Sequence, residues 1–110
     1  MASKKYSWSL TETAETDIDD ILEYISGTLK NPEAATAFAD ELEEKMENVC
    51  KAPKSGKLVD NAFLTGKDVR RFLVKNYVAY YIIDDDNREI VIQRVVYGQR
   101  DQDRILKDSV

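Results

Sequence analysis

Residues 69–105 read VRRFLVKNYVAYYIIDDDNREIVIQRVVYGQRDQDRI, and this stretch decides the fold. Three runs rich in Val, Ile, Phe and Tyr are separated by Asn76 and by Asp85-Asp86-Asn87-Arg88, the composition of strands joined by tight turns. The spacing predicts strands over Val69–Lys75, Tyr77–Asp84 and Glu89–Tyr97, paired as an antiparallel meander. In the middle run Val78, Tyr80 and Ile82 alternate with Tyr77, Ala79, Tyr81 and Ile83, so both faces are apolar and the strand is central. Tyr77, Tyr80 and Tyr81 are expected in the core. The cations Arg70, Arg71 and Lys75 fall on the first run, Arg94 on the last, and Arg100 follows Gly98. Strands lie about 4.8 Å apart, so cations distant in sequence can converge on one rim of the sheet.

Upstream, Lys4–Leu10 alternates with Tyr6, Trp8 and Leu10 on one side, the period of a half-buried strand. Thr11 then offers an N-cap hydroxyl, and Ala14, Ile18, Ile21, Leu22, Ile25 and Leu29 recur at helical spacing to about residue 29, with Gly27 weakening the last turn. Asn31-Pro32 suits the cap and first position of a second helix, whose apolar stripe is Ala35, Phe38, Leu42, Met46 and Val49 and which Pro53 ends. So short a link between the helices implies an antiparallel hairpin, with Cys50 a small core residue near its end. The connection Lys54–Asp68 has no sustained period; a segment of that length is functional or hides one short element. The tail after Gly98 is expected to form a short helix anchored by Ile105 and Leu106. The expected architecture is α+β, one domain over residues 1–110. Its order is β-α-α-β-β-β, with an antiparallel four-stranded sheet carrying the two-helix hairpin on one face.

Histidine is absent and Cys50 is the lone cysteine, which excludes an internal disulfide and any Cys/His metal cluster and removes the usual general base. No metal or cofactor is expected. No apolar run approaches a bilayer span and the N-terminus lacks a signal-peptide core, so a cytoplasmic protein without a membrane partner is expected. The formal charge of −5 conceals polarity. Between Thr11 and Ala52 twelve acids face three bases, a net −9, whereas Lys54–Lys75 holds six bases and two acids, a net +4. One face repels nucleic acid while another attracts it.

The element order, together with RRFLVKNYVAYYII, IVIQRVVYGQRDQDRIL and the length, resembles the RelE/ParE superfamily of bacterial type II toxins over nearly the whole chain. A strand ending in Arg-Phe, a following Tyr-x-x-Tyr-Tyr strand and the closing Tyr-Gly-x-Arg-Asp carry the resemblance. It implies a growth-inhibiting toxin neutralised by a cognate antitoxin whose extended or helical segment wraps it, the pair repressing its own operon, so that operator DNA is met only through the complex. RelE-type members cleave mRNA in the ribosomal A site without metal; ParE-type members share the fold, inhibit DNA gyrase and lack the nuclease set. By position, Arg71 matches a basic residue of the RelE type on the first sheet strand, and Arg100 matches the arginine after the last strand. Val78 stands where RelE types often carry Arg, and Leu106 stands near their C-terminal Tyr. The Gly98-Gln99-Arg100-Asp101 ending looks at least as ParE-like.

Metal-free RNA cleavage needs a stabilised phosphorane and proton transfer. Guanidinium binds phosphate oxygens bidentately, so Arg71 and Arg100 suit the first task, with Tyr97 as an acid or a stacking platform. Arg70, Lys75, Lys57 and Arg94 complete the candidate substrate-binding set. Plainer roles stand beside these: Arg70 or Arg71 paired with Asp101 or Asp103, Arg94 paired with an acid, Tyr97 packed at a strand end, and the acidic helices simply solvated. Two main functions follow, with an inactive or antitoxin-sequestering relative as a third reading. One is an enzyme, a ribosome-dependent mRNA endoribonuclease working through the basic rim; the other is a binding toxin that inhibits gyrase without cutting. The expectation rests with mRNA cleavage, since A-site cleavage tolerates varied catalytic sets.

Overall fold

Thr11 opens the first helix as its alternatives-poor sequence dictates: its backbone is extended, and its hydroxyl accepts from the Ala14 amide at 3.0 Å. In the computed structural model, which describes residues 6–59 and 68–98, strand β1 (Ser7–Leu10) precedes α1 (Glu12–Glu23). A π turn over Tyr24–Thr28 then widens the helix, with the Leu29 amide reaching back to the Tyr24 carbonyl. That turn takes one residue more than an α turn and rotates Leu29 off the apolar stripe, leaving it 54% exposed although its spacing placed it inside. Ser26 donates from its hydroxyl to the Leu22 carbonyl just before Gly27, which loosens the ladder at this point.

Asn31 caps α2 (Pro32–Lys51) by accepting from the Ala34 amide, with Pro32 at the first helical position. Ala35, Phe38, Leu42, Met46 and Val49 are all buried on the stripe expected of them, and Cys50 is buried beside them. A 3-10 turn (Pro53–Ser55) leads into β2 (Lys57–Leu58), followed after the next described residues by β3 (Val69–Val74), β4 (Tyr77–Asp84) and β5 (Glu89–Tyr97). The meander therefore forms where the sequence placed it.

The sheet differs from the antiparallel four-stranded one expected: it is mixed and five-stranded, in the order β1-β5-β4-β3-β2. The connection after α2 supplies the extra edge strand, two residues long. β1 lies parallel to β5, Ser7 opposite Glu89 and Leu10 opposite Ile92, while the remaining pairs are antiparallel. The helical hairpin covers one face, where Phe38, Leu42 and Met46 meet Val74, Ala79, Tyr81, Ile90, Ile92 and Val95. Tyr80, Val78, Val69 and Val59 form a smaller cluster on the other face. Among the described residues no helix is long and apolar enough to cross a membrane.

A register shift opposite Tyr80 and Tyr81 leaves Gln93 as an extra residue in β5. Beyond Leu10 strand β1 has ended, and α1 takes over the exposed backbone of β5. The Thr11 hydroxyl donates to the Gln93 carbonyl at 3.0 Å, and the Asp17 carboxylate accepts from the Val95 amide at 3.0 Å. Two side chains thus satisfy an edge that no strand covers.

Candidate functional site: a basic depression and an apolar groove

The register sets Lys57, Arg71, Tyr80 and Arg94 in a line across β2, β3, β4 and β5. Alternation along each strand forces this, because residues directly opposite share a face. Lys57 and Arg71 then line a depression of about 310 Å³, together with Phe72, Leu73, Val78 and Gly98. Among the described residues of this lining the two cations are the charged groups, and no carboxylate or phenol joins them. The two cations give this hollow a local positive charge.

The remaining candidates are placed elsewhere. Arg94 reaches Asp17, its Nε at 2.8 Å from one carboxylate oxygen and its Nη2 at 3.3 Å from the other. That carboxylate raises the guanidinium's already high pKa further, against the opposing effect of burial. Arg94 therefore serves the α1–β5 joint, the acid-paired role open to it from sequence. Arg70 lies on the helix side of β3, and its Nη1 donates to the Gly56 carbonyl at 2.9 Å and the Lys54 carbonyl at 3.3 Å. Lys75 stands in the β3–β4 turn with φ 54°, its ammonium 3.3 Å from Glu41 and its amide donating to the same carboxylate. Arg100, Asp101, Asp103 and the predicted tail helix lie outside the described residues, as do Phe63 and Leu64 of the connection.

Tyr97 does not approach the depression. It is half exposed and meets Tyr77 edge-on, ring centroids 5.6 Å apart, in a second and larger hollow of about 750 Å³. This apolar groove runs between the π turn, the start of α2 and the β3–β4 turn, lined by Tyr24, Leu29, Ala34, Phe38, Tyr77 and Tyr97 with Lys75 at its rim. Burial pushes the Tyr77 phenol above its ordinary value, with Tyr24 and Tyr97 adding to the effect, so it stays neutral. The groove suits an apolar segment and offers no base.

Glu41 ties the β3–β4 turn to α2. The Lys75 amide is the main cause holding its carboxyl below the usual range, helped by the ammonium groups of Lys75 and Lys45. Stabilisation from this group is therefore present above the ordinary value of 4.5 and lost as pH falls through the lower folded-state value. Glu41→Gln is expected to flatten the acid limb of a stability profile between neutral and acid pH, by only a few tenths of a kcal/mol because the ammonium partners are exposed. An unchanged acid limb would show the contact to be energetically silent.

The groove and the joint left no local sequence signal. Asp17 and Arg94 are far apart in the chain, and Leu29 reaches the groove because the π turn rotates it off the apolar stripe.

The family model described as the ParE toxin of type II toxin-antitoxin system, parDE, matches residues 9–102. This chain belongs to the ParE toxin family. Solved structures agree on the fold. A chain of the chromosomal ParDE system from P. aeruginosa superposes with TM-score 0.66 at 21% identity, covering 88% of this chain and all of that one. A free mutant of E. coli toxin RelE gives 0.60 at 15% identity, covering 94% and 92%. A chain of the Mycobacterium tuberculosis RelBE2 toxin-antitoxin complex gives 0.57 at 24%, covering 84% and 98%. No curated protein matches in sequence. The matched span takes in the second half of β1 and all of β2 through β5, both the depression and the groove included.

Proposed function

We propose that this ParE-family toxin acts in the ParE manner, inhibiting DNA gyrase by binding it and without cutting nucleic acid. The composition of the depression carries this reading. Lys57 and Arg71 supply fixed positive charge, but the phenol expected to donate a proton, Tyr97, sits in the apolar groove instead. Among the described residues the lining pairs two cations with no carboxylate or phenol, a set that suits holding an anion better than moving a proton. The pair fits an acidic patch or a phosphate on the target. The apolar groove fits the extended or helical segment of a cognate antitoxin, and the similar ParDE and RelBE2 structures, being of toxin-antitoxin systems, support an antitoxin as partner.

Ribosome-dependent mRNA cleavage is the second reading. Lys57 and Arg71 standing opposite one another favours it, as does Gly98 in the same lining, two positions before Arg100 in the chain.

Expression of the full chain in cells separates the two. The expected result is intact mRNA by primer extension, an SOS response and gyrase-linked DNA breaks. Purified protein is expected to inhibit gyrase supercoiling, with Arg71→Ala and Lys57→Ala each weakening inhibition by about tenfold, the loss of one contact worth ~1.4 kcal/mol. Discrete cuts at codon boundaries, lost in Arg71→Ala, would reverse the choice in favour of the nuclease.

A further inference from the structure

Lys57 belongs to a strand of two residues, and a strand that short does not hold its own register. Its ladder to β3 is short: Lys57 opposite Arg71, Leu58 opposite Arg70, and the Val59 amide donating to the Val69 carbonyl at 2.8 Å. The 3-10 turn just before it is fastened much more firmly. Tyr81, fully buried in β4, donates from its hydroxyl to the Pro53 carbonyl at 2.7 Å and accepts from the Gly56 amide at 3.0 Å. From the neighbouring strand, Nη1 of Arg70 donates to the carbonyls of Lys54 and Gly56. Four backbone groups of one turn are thus held by two side chains that reach it through the sheet.

Gly56 fits this clamp because it has no side chain. A Cβ there would strike the Tyr81 hydroxyl and stand 2.8 Å from the Arg71 carbonyl oxygen, on the backbone of the strand that β2 must pair with. Burial raises the Tyr81 phenol's pKa against the opposing pull of the Gly56 amide and Arg70, so the hydroxyl keeps the proton that it donates to Pro53.

We infer that Tyr81 and Arg70 are positioning residues: through the turn 53–56 they hold Lys57 opposite Arg71 and so keep the two cations of the basic depression together. This rests on the reading of that depression as the surface that meets the target. Neither side chain touches the target itself; each acts through the backbone that carries Lys57.

The test uses the full-length chain with Tyr81→Phe, which keeps the ring and removes the hydroxyl, and with Gly56→Ala, whose added methyl presses on the Tyr81 hydroxyl and on β3 and so displaces the turn. Amide hydrogen exchange at Val59 reads the clamp directly, and inhibition of gyrase supercoiling reads its consequence. Both variants are expected to speed exchange at Val59 by about tenfold or more, while amides of β4 and β5 keep their protection. Both are expected to weaken inhibition in the wild-type background and to add nothing in a Lys57→Ala background. Unchanged exchange at Val59 in both variants overturns the clamp, even where Lys57→Ala is inactive. So does a further loss of inhibition on top of Lys57→Ala, since the hydroxyl would then act elsewhere. Full inhibition by Lys57→Ala, with exchange accelerated as expected, overturns instead the reading of the depression on which the functional half depends.

Discussion

Phe38→Ala is expected to lower the stability of the fold by about 3–5 kcal/mol, the cost of deleting a fully buried aromatic and leaving a cavity. Phe38 has no exposed surface, lies on the inward stripe of α2 and meets Tyr77 edge-on with ring centroids 5.3 Å apart. That edge contact alone adds about 0.5–1.5 kcal/mol beyond area burial. The position also floors the apolar groove, so the cavity would open toward it rather than collapse. A loss of this size is a large part of the ~5–15 kcal/mol that holds a typical domain together, and the midpoint of thermal unfolding should fall by more than about 12 °C. Phe38→Leu, which keeps most of the volume, should lose less than half as much. Urea unfolding with an unchanged slope would assign the effect to the native state. A loss below about 1 kcal/mol would mean that neighbouring side chains close the gap, contrary to the close packing of the helix–sheet interface.

Asp17→Ala is expected to cost about 2–3 kcal/mol, which is large for a polar residue on a helix. Its carboxylate is only 15% exposed and accepts from Arg94 and from the Val95 amide at once. Removing it leaves a partly buried guanidinium without its carboxylate and a strand-edge amide without an acceptor. The full figure for breaking a buried ion pair does not apply, because the Arg94 side chain is 28% exposed and water can reach it. Asp17→Asn keeps an acceptor and is expected to recover part of the loss. A double mutant with Arg94→Met should cost less than the two single changes added together, since the Asp17–Arg94 contact is lost only once. Equal stability of Asp17→Ala and the wild type in thermal unfolding would show that α1 does not seal the edge of β5 energetically.

The meander was legible because period-two alternation, β-branched and aromatic residues and polar turns all agreed over Val69–Tyr97, and β4 and β5 begin and end where that pattern does. Helix boundaries were legible from Thr11, Asn31-Pro32 and Pro53, each of which acts on the backbone within its own turn. The direction of β1 was not. Alternation of Tyr6, Trp8 and Leu10 assigns a face, but it is the same read forwards or backwards, so parallel and antiparallel pairing leave the same pattern. The fifth strand was legible only as a short element somewhere in the connection, because two residues carry no period.

Of the site, Lys57 and Arg71 could be nominated as cations but not as neighbours, since their opposition depends on the register of a strand without a signature. Arg70, Arg94 and Lys75 look alike in composition, and only three-dimensional partners tell their roles apart. Tyr81 was expected in the core for its ring. Its hydroxyl does more, and its partners are backbone atoms of Pro53 and Gly56, which no side-chain pattern announces.

The parallel pairing of residues 7–10 with 89–92 joins the two ends of the described chain. Such long-range closure slows folding, because the entropy of a large loop is lost before the contact that compensates it forms. During synthesis the first strand emerges early and must wait for the last one to be translated before the sheet can be completed. The sheet therefore closes on β1 only once β5 has been made.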